Sequence, residues 1–339
     1  MRTISAAALL LCALAIQHRP AAAQESCGPD KLGVARTATI DPATGPHFGA
    51  QFHGRKINPL LADGEVVLTF DDGPSHTNTR LVLDALAAHC TRATFFMVGR
   101  RALSDPETAK EVAARGHTVG AHTWSHARLA DLADGEAETQ IELGFSAVQQ
   151  ALDRPISPFF RFPYLRGSPF SLQHLDGRQI ATFGIDIDSR DFEIRDAAAL
   201  YERVMADAAA KRKGIILFHD IHASTAEALP RILDGLKARG FRVVHLVSKT
   251  GLKTVAEYDT LAQQELARRR LALARSPLAK RAVSWPLPEV RPVKAGEKAT
   301  REAKDAKPAK EAASAADTAV APPAPPKKDW AVDVWSSAQ

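Results

Sequence analysis

The residues best suited to chemistry begin with Thr69-Phe70-Asp71-Asp72-Gly73-Pro74. Two adjacent carboxylates follow an apolar run, Val66-Val67-Leu68, and precede a Gly-Pro pair. The run reads as a buried strand and the pair as its stop. Burying an unpaired carboxylate is costly, so acids where a strand enters a loop are more often placed for chemistry than for packing. Further on, His122-Thr123-Trp124-Ser125-His126 follows a second strand-like run, His117-Thr118-Val119-Gly120. On one helical turn, a spacing of four points both imidazoles the same way. Two His and one Asp make a three-ligand zinc set with the fourth position left for water. The same donors also accept cobalt or nickel.

These groups need a scaffold that brings distant segments together. Strand-like runs fall at residues 66–70, 93–98, 118–121, 158–162, 180–185, 214–218 and 241–244. Helical stretches at 79–89, 105–115, 135–152, 197–211 and 225–239 lie between most of them. Asp105-Pro106 and Asp196 mark helix starts, and Gly116 and Gly240 mark stops. The alternation predicts βα units and a parallel sheet, hence an α/β fold. In parallel barrels, functional groups gather at the C-terminal strand ends. Asp71, His122, Arg161, residues 186–191 and His219 all sit at or just past such ends.

Five motifs in this order resemble the polysaccharide deacetylases, the NodB-homology carbohydrate esterases. They are Thr69–Pro74, His122–His126, Arg161-Phe162-Pro163-Tyr164, Asp188-Ser189-Arg190-Asp191-Phe192 and Ile216-Leu217-Phe218-His219-Asp220. The resemblance covers roughly residues 64–247. It departs at Phe192, where the family usually has Trp, and at Leu165, where it usually has Gly. The resemblance implies an irregular (β/α)7-type barrel and a metal-dependent hydrolase. It implies Asp72, His122 and His126 as ligands, most often of Zn2+ with Co2+ or Ni2+ as alternatives, and Asp71 as general base. It pairs Arg161 with Asp71, and that guanidinium and the metal are both expected to depress the pKa of the carboxyl. It gives the Tyr164 main chain the tetrahedral oxyanion, and it makes His219 the general acid, oriented by Asp191.

Leu217, two residues before His219, points to the same side of a strand and is expected to line an acetyl pocket. Asp188 is expected to support Arg161. Asp186, Asp220 and His222 are expected to be supporting or structural, and His76, His89, His117, His174 and His245 non-catalytic. Sugar sites use aromatic platforms, and Trp124 is the only Trp between residues 24 and 284. With Tyr164 and Phe192 it is a candidate sugar-binding surface. Phe162 and Phe170 are further possibilities.

At 339 residues there is room for one large α/β domain plus extensions. Residues 1–23 read as a secretory signal: Arg2, an apolar core over 6–16 and Ala21-Ala22-Ala23. That core is too short to span a bilayer, so no transmembrane anchor is expected. Residues 24–60 form a lead-in of uncertain structure, 61–250 the catalytic domain and 251–284 a C-terminal helix. Residues 285–339 form a basic Ala/Lys/Pro-rich tail whose composition predicts disorder. Residues 261–339 hold 15 Lys+Arg against 9 Asp+Glu, so the basic balance belongs to the tail. Nothing resembles a nucleic-acid-binding module, and a basic tail on an exported chain suits an anionic envelope surface. The tail also carries Trp330 and Trp335. In an oxidising compartment Cys27 and Cys90 can bridge or remain separate thiols. The expected protein is periplasmic or secreted. It removes N-acetyl groups from an amino-sugar polymer or oligomer, whether chitooligosaccharide, peptidoglycan or exopolysaccharide. O-acetyl ester cleavage on a polysaccharide such as acetylxylan, or an idle carbohydrate-binding protein on the same fold, are the alternatives.

Overall fold

The computed structural model describes residues 28–50 and 59–275. Its strands are β1 Arg36–Ile40, β2 His47–Phe48, β3 Glu65–Asp71, β4 Thr94–Met97, β5 Thr118–Ala121, β6 Phe159–Phe160, β7 Ala181–Phe183, β8 Ile187–Asp188, β9 Gly214–His219 and β10 Arg242–Ser248. Its helices are α1 Asn78–Ala88, α2 Gly99–Ser104, α3 Pro106–Ala114, α4 Asp134–Leu152, α5 Pro169–Gly177, α6 Ala197–Lys211, α7 Ala223–Ala238 and α8 Ala256–Arg275. The chain divides into two units at Ala267/Arg268. Of the second unit only the end of α8 is described. The expected signal segment, the free or bridged state of Cys27 and the expected disordered tail with its two Trp lie outside the described residues. Cys90 is disulfide-bonded to a partner that also lies outside them. Among the described residues no helix is long and apolar enough to cross a membrane.

Every strand pairing is parallel. The order is β1-β10-β3-β4-β5-β6-β7-β2, with β9 also on β3 and β8 on β9. No ladder joins β7 to β8 among the described residues, so the barrel is irregular and open at that seam. Strand alternation decides what lies inside. Val67, Phe96, Phe159, Phe183, Ile215 and Val244 come from six strands and meet in one buried cluster. Their neighbours Phe70, Phe95 and Phe218 stack on the other face at centroid distances of 5.0 and 5.4 Å, where helices cover the sheet. Register then fixes the next interior layers: Thr69 opposite Leu217, and above them Asp71 opposite His219.

Two expected helix starts carry the caps that named them. The Asp105 carboxylate accepts from the Thr108 N–H, and Asp196 from the Ala199 N–H. The structure adds elements that the pattern did not show. β1 extends the sheet beside β10 and β2 beside β7. β2 and β8 have two residues each, too few for a period to register. α2 is six residues long. α5 did carry a signal, a Ser168 cap with Pro169 behind it.

α4 approaches the His122–His126 loop more closely than side chains would permit. A Cβ on Gly144 would lie 2.6 Å from the Thr123 carbonyl carbon, and one on Gly99 would lie 3.0 Å from Trp124. Gly144→Ala should therefore destabilise the domain by about 2 kcal/mol, because overpacking against backbone outweighs the gain in helix propensity. Thermal melting should show a Tm lower by roughly 6 °C. An unchanged or raised Tm would show that the loop can give way.

Candidate active site and metal centre

Asp72, His122 and His126 offer one ligand atom each within 4.8 Å of one another. Asp72 Oδ1 lies 3.2 Å from His126 Nε2 and 3.5 Å from His122 Nε2. That oxygen is buried and has no hydrogen-bond partner, an arrangement that is costly unless something positive completes it. The Nδ1 of His122 lies 2.7 Å from the Arg161 carbonyl oxygen. A proton on Nδ1 donates to that oxygen and leaves the Nε2 lone pair facing Asp72, as metal-binding imidazoles are held. Burial, with His126 adding, holds the His122 imidazole down at about 3, so it is neutral and able to ligate. The three donors fit a divalent cation of the zinc type.

The expected helical turn is absent. Residues 122–126 form a loop, with Thr123 at φ 65° and His126 at φ 63°. This loop, rather than helical periodicity, brings the imidazoles to a ring distance of 5.0 Å. Asp72 at φ 75°, Tyr164 at φ 56° and Leu165 at φ 56° share the left-handed region. It is unfavourable for residues with a Cβ, and its concentration at this site marks backbone held for function.

Asp71 is buried beside the cluster. Its Oδ1 accepts from Arg161 Nη1 at 2.7 Å, and its Oδ2 lies 3.8 Å from His122 Nε2. Arg161 is fully buried, and each of its three side-chain nitrogens has a partner. Nη1 also donates to Thr69 Oγ1, Nε to the Phe183 carbonyl, and Nη2 to the Gly184 carbonyl. The guanidinium lies 4.5 Å from the Phe96 ring centroid, on top of the apolar cluster. The Arg161 guanidinium does not by itself depress Asp71 as expected: burial pushes the carboxyl up, with the charge of Arg161 opposing. A raised carboxyl beside a fixed cation is better matched to a base working near neutral pH than a strongly depressed one.

On the neighbouring strand end, His219 Nδ1 sits 2.6 Å from Asp191 Oδ1, and the His219 N–H donates to Asp191 Oδ2 at 2.7 Å. Thr225 Oγ1 donates to the same carboxylate. Burial would lower the imidazole, but the hydrogen bond and charge of Asp191, with Asp72 and Asp71 adding, raise it to about 9. The acid is thus held protonated at neutral pH, with Nδ1 committed to Asp191 and Nε2 left for transfer.

Among the described residues nothing accepts the Tyr164 N–H. Its ring is 54% exposed and stands edge-on to His126 at 4.8 Å. Phe192 is 43% exposed, edge-on to His219 at 5.9 Å. Leu217 is buried on the interior face shared with Asp71 and His219. Trp124 does not fit its expectation: it is fully buried against Gly99 and has no face for a sugar. Phe162 is also core, packed edge-on to Phe160. Asp188 does not reach Arg161; its carboxylate accepts from the Arg190 N–H in a turn. Asp186 accepts from the Ile215 N–H at the start of β9.

Two supporting residues, Thr69 and Thr225, had no assigned role, while Asp220 was expected to be supporting or structural. Thr69 lies two before Asp71 on the same strand face and takes an Arg161 proton. Thr225 lies in the first turn of the helix after His219. Asp220 is fully buried, accepts from Thr79 Oγ1 and packs against Gly73, where a Cβ would meet its carboxylate at 2.2 Å. Burial raises its carboxyl to about 7. Alternation from Asp71 pointed to Thr69, but nothing local pointed to Thr225.

Comparison with known proteins agrees with this geometry. Residues 61–176 match the family model described as polysaccharide deacetylase. A peptidoglycan-N-acetylglucosamine deacetylase of Bacillus cereus is 33% identical over 184 residues, covering 53% of this chain and 84% of that protein. The peptidoglycan-N-acetylglucosamine deacetylase PgdA of Listeria monocytogenes is 33% identical over 194 residues, covering 56% of this chain and 39% of that protein. The chain thus matches well under half the length of that relative. Among solved structures, the peptidoglycan deacetylase Bd3279 of Bdellovibrio bacteriovorus superposes with a TM-score of 0.58 at 33% identity, over 65% of this chain and 60% of that one. The chain belongs to the polysaccharide deacetylase family.

The ligand assignment separates the neighbouring carboxylates. Calorimetric titration of metal-free protein with zinc should show one site per chain. Asp72→Ala should weaken it by more than about 100-fold, beyond the usual effect of an outer-shell change. Asp71→Asn should bind zinc nearly as the unmodified protein does. Loss of zinc in Asp71→Asn with retention in Asp72→Asn would reverse the two roles.

Proposed function

We propose that this protein is an exported, metal-dependent N-deacetylase of an amino-sugar polymer or oligomer. The observation that carries the reading is the coincidence at one strand-end cluster of a three-donor set, a buried carboxylate on an arginine and a raised imidazole on an aspartate. Family membership supports the reaction class. The relatives' names favour an N-acetylglucosamine-containing glycan such as peptidoglycan. The signal-like composition of residues 1–23 supports export to the periplasm or beyond.

Asp72, His122 and His126 would hold the ion, and two imidazoles with a carboxylate suit zinc. When bound, such an ion polarises a carbonyl oxygen and makes water more acidic. Asp71 takes the proton of the water as its oxygen bonds to the acetyl carbon. The Tyr164 N–H donates to the oxygen that gains charge in the tetrahedral intermediate. Leu217 lines the space for the acetyl methyl. His219 Nε2 gives its proton to the sugar nitrogen as the carbon–nitrogen bond breaks, leaving acetate and a free amine. Asp191 and Thr225 hold the imidazole in line throughout.

Asp71→Asn and His219→Ala should each reduce acetate release from a chitooligosaccharide by roughly 10²–10⁴-fold, the worth of one positioned acid or base. Near-normal turnover in His219→Ala would move the acid role elsewhere, with His222 the first to test. The pH dependence has a definite sign. His219 serves as acid only when protonated, so activity should be present below its raised pKa and fall as pH passes about 9. Asp191→Asn removes the partner that raises it and should bring that fall to lower pH. An upper limb unmoved by Asp191→Asn would contradict the pairing. Faster release from acetylxylan than from any N-acetylated glycan would identify an O-acetyl esterase instead.

A further inference from the structure

The loop that carries His122 and His126 has no regular structure, so its shape depends on where its backbone groups find partners. The His122 N–H donates to the Met97 carbonyl, and the Thr123 and Trp124 carbonyls accept from the N–H groups of Gly99 and Arg100. The His126 N–H donates back to Thr123 Oγ1 at 3.0 Å. The remaining bonds converge on one buried residue of α4, Gln140, which is 7% exposed. Its main-chain carbonyl accepts from the Trp124 N–H at 2.8 Å. Its side-chain Oε1 accepts from the Ser125 N–H at 3.0 Å and from Ser125 Oγ at 3.1 Å. A backbone N–H only donates, so the amide must turn its oxygen to the loop. Gly144 lies four residues on, hence on the same face of α4, and its missing side chain lets the helix come this close to Thr123.

The grip falls where the loop is least able to hold itself. Thr123 and His126 both have left-handed backbone, which persists only where the surroundings over-determine it. Trp124 and Ser125, the two residues between them, are the ones bonded to Gln140. The two imidazoles also differ in support. His122 is buried, and its Nδ1 is fixed by the Arg161 carbonyl. The His126 side chain is 28% exposed against 3% for His122. Among the described residues nothing hydrogen-bonds the His126 Nδ1, and its ring neighbours are His122 and Tyr164. The direction of the His126 ring therefore rests on its backbone, and that backbone follows directly on Ser125.

We infer that Gln140 is a positioning residue for the metal centre: its side-chain oxygen holds Ser125 and so aims the His126 imidazole at Asp72 and the ion. This rests on the metal-dependent reading above and adds to it a residue outside the ligand set. Three measurements on the full chain carry the test. They are zinc affinity by competition with a chelating dye, thermal melting of the metal-free protein, and acetate release from chitopentaose with zinc in excess. Gln140→Met keeps the length and helix preference of the side chain and removes the oxygen. Gln140→Glu keeps an oxygen acceptor at the same reach. Ser125→Ala removes one of the two bonds to Oε1 from the loop side.

Gln140→Met should melt cooperatively and bind zinc about 10–100-fold more weakly, the usual effect of losing a group that orients a ligand. Gln140→Glu should restore most of that affinity. Excess zinc should return most of kcat to Gln140→Met, because base and acid are untouched. Ser125→Ala should weaken zinc by a smaller factor and add nothing to Gln140→Met, since the two changes break the same contact. A merely structural role would lower the melting temperature without moving zinc affinity. A folded Gln140→Met that holds zinc as the unmodified protein does, or a loss that Gln140→Glu shares in full, would overturn the inference and leave the metal reading standing. If Gln140→Met does not fold, Ser125→Ala decides: weaker zinc supports the inference and unchanged zinc overturns it. Absence of zinc binding in the unmodified protein would overturn the metal-dependent reading and this inference with it.

Discussion

The site depends on one buried cation. Arg161 sits inside the barrel with no exposed surface, where an unpaired guanidinium would be prohibitively costly. Its protons reach Asp71 and Thr69 on β3 and the carbonyls of Phe183 and Gly184 at the end of β7. Its own carbonyl oxygen fixes the proton position of His122. One residue therefore sets the charge environment of the base, orients a ligand and ties β6 to strands on both sides. Removing either Asp71 or Arg161 alone leaves the other buried without its partner and lowers stability, so the two are best read as one unit.

Around that pair the parallel register does the positioning. Asp71 and His219 are opposite one another on adjacent strands, so base and acid share an interior face a strand spacing apart. The layers beneath are apolar, with Val67, Ile215, Phe96 and Phe183 closing the barrel. Polar function thus begins above a buried apolar floor. The loops above carry the left-handed residues at Asp72, His126 and Tyr164, and close contacts such as Gly144 on Thr123 and Asp220 on Gly73 hold them there.

Much of this was legible in the sequence because it is periodic or local. The runs that hold β3, β4, β5, β6, β7, β9 and β10 are largely buried and read as apolar stretches, whereas β1 is mostly exposed, and Asp105 and Asp196 announced their helices through cap chemistry. Residue types suggested a metal set of two His and one Asp, and the family resemblance chose Asp72 over Asp71 within the pair. What was not legible depends on tertiary contact. β2 and β8 are too short for a period. A spacing of four suggested a helical turn at His122–His126, but close packing by α4 holds a loop there instead. Trp124 looked like a sugar platform because it was the domain's lone Trp, yet burial against α2 claims it. Asp188 stood in a promising motif but spends its carboxylate on a turn. The burial that raises the Asp71 carboxyl against the charge of Arg161 was not legible, because charge proximity can be guessed from a motif and desolvation cannot.

The central claim is that Arg161 acts on the reaction through Asp71. A double-mutant cycle on kcat/KM for acetate release from a chitooligosaccharide tests it, using Asp71→Asn, Arg161→Met and the two together, each checked for zinc content and cooperative melting. If the two residues act as one unit, the double variant should be no slower than Asp71→Asn alone, within about threefold, since the second change removes nothing that still functions. Losses that multiply in the folded, zinc-loaded double variant would contradict the account and give Arg161 a part in the reaction independent of the base.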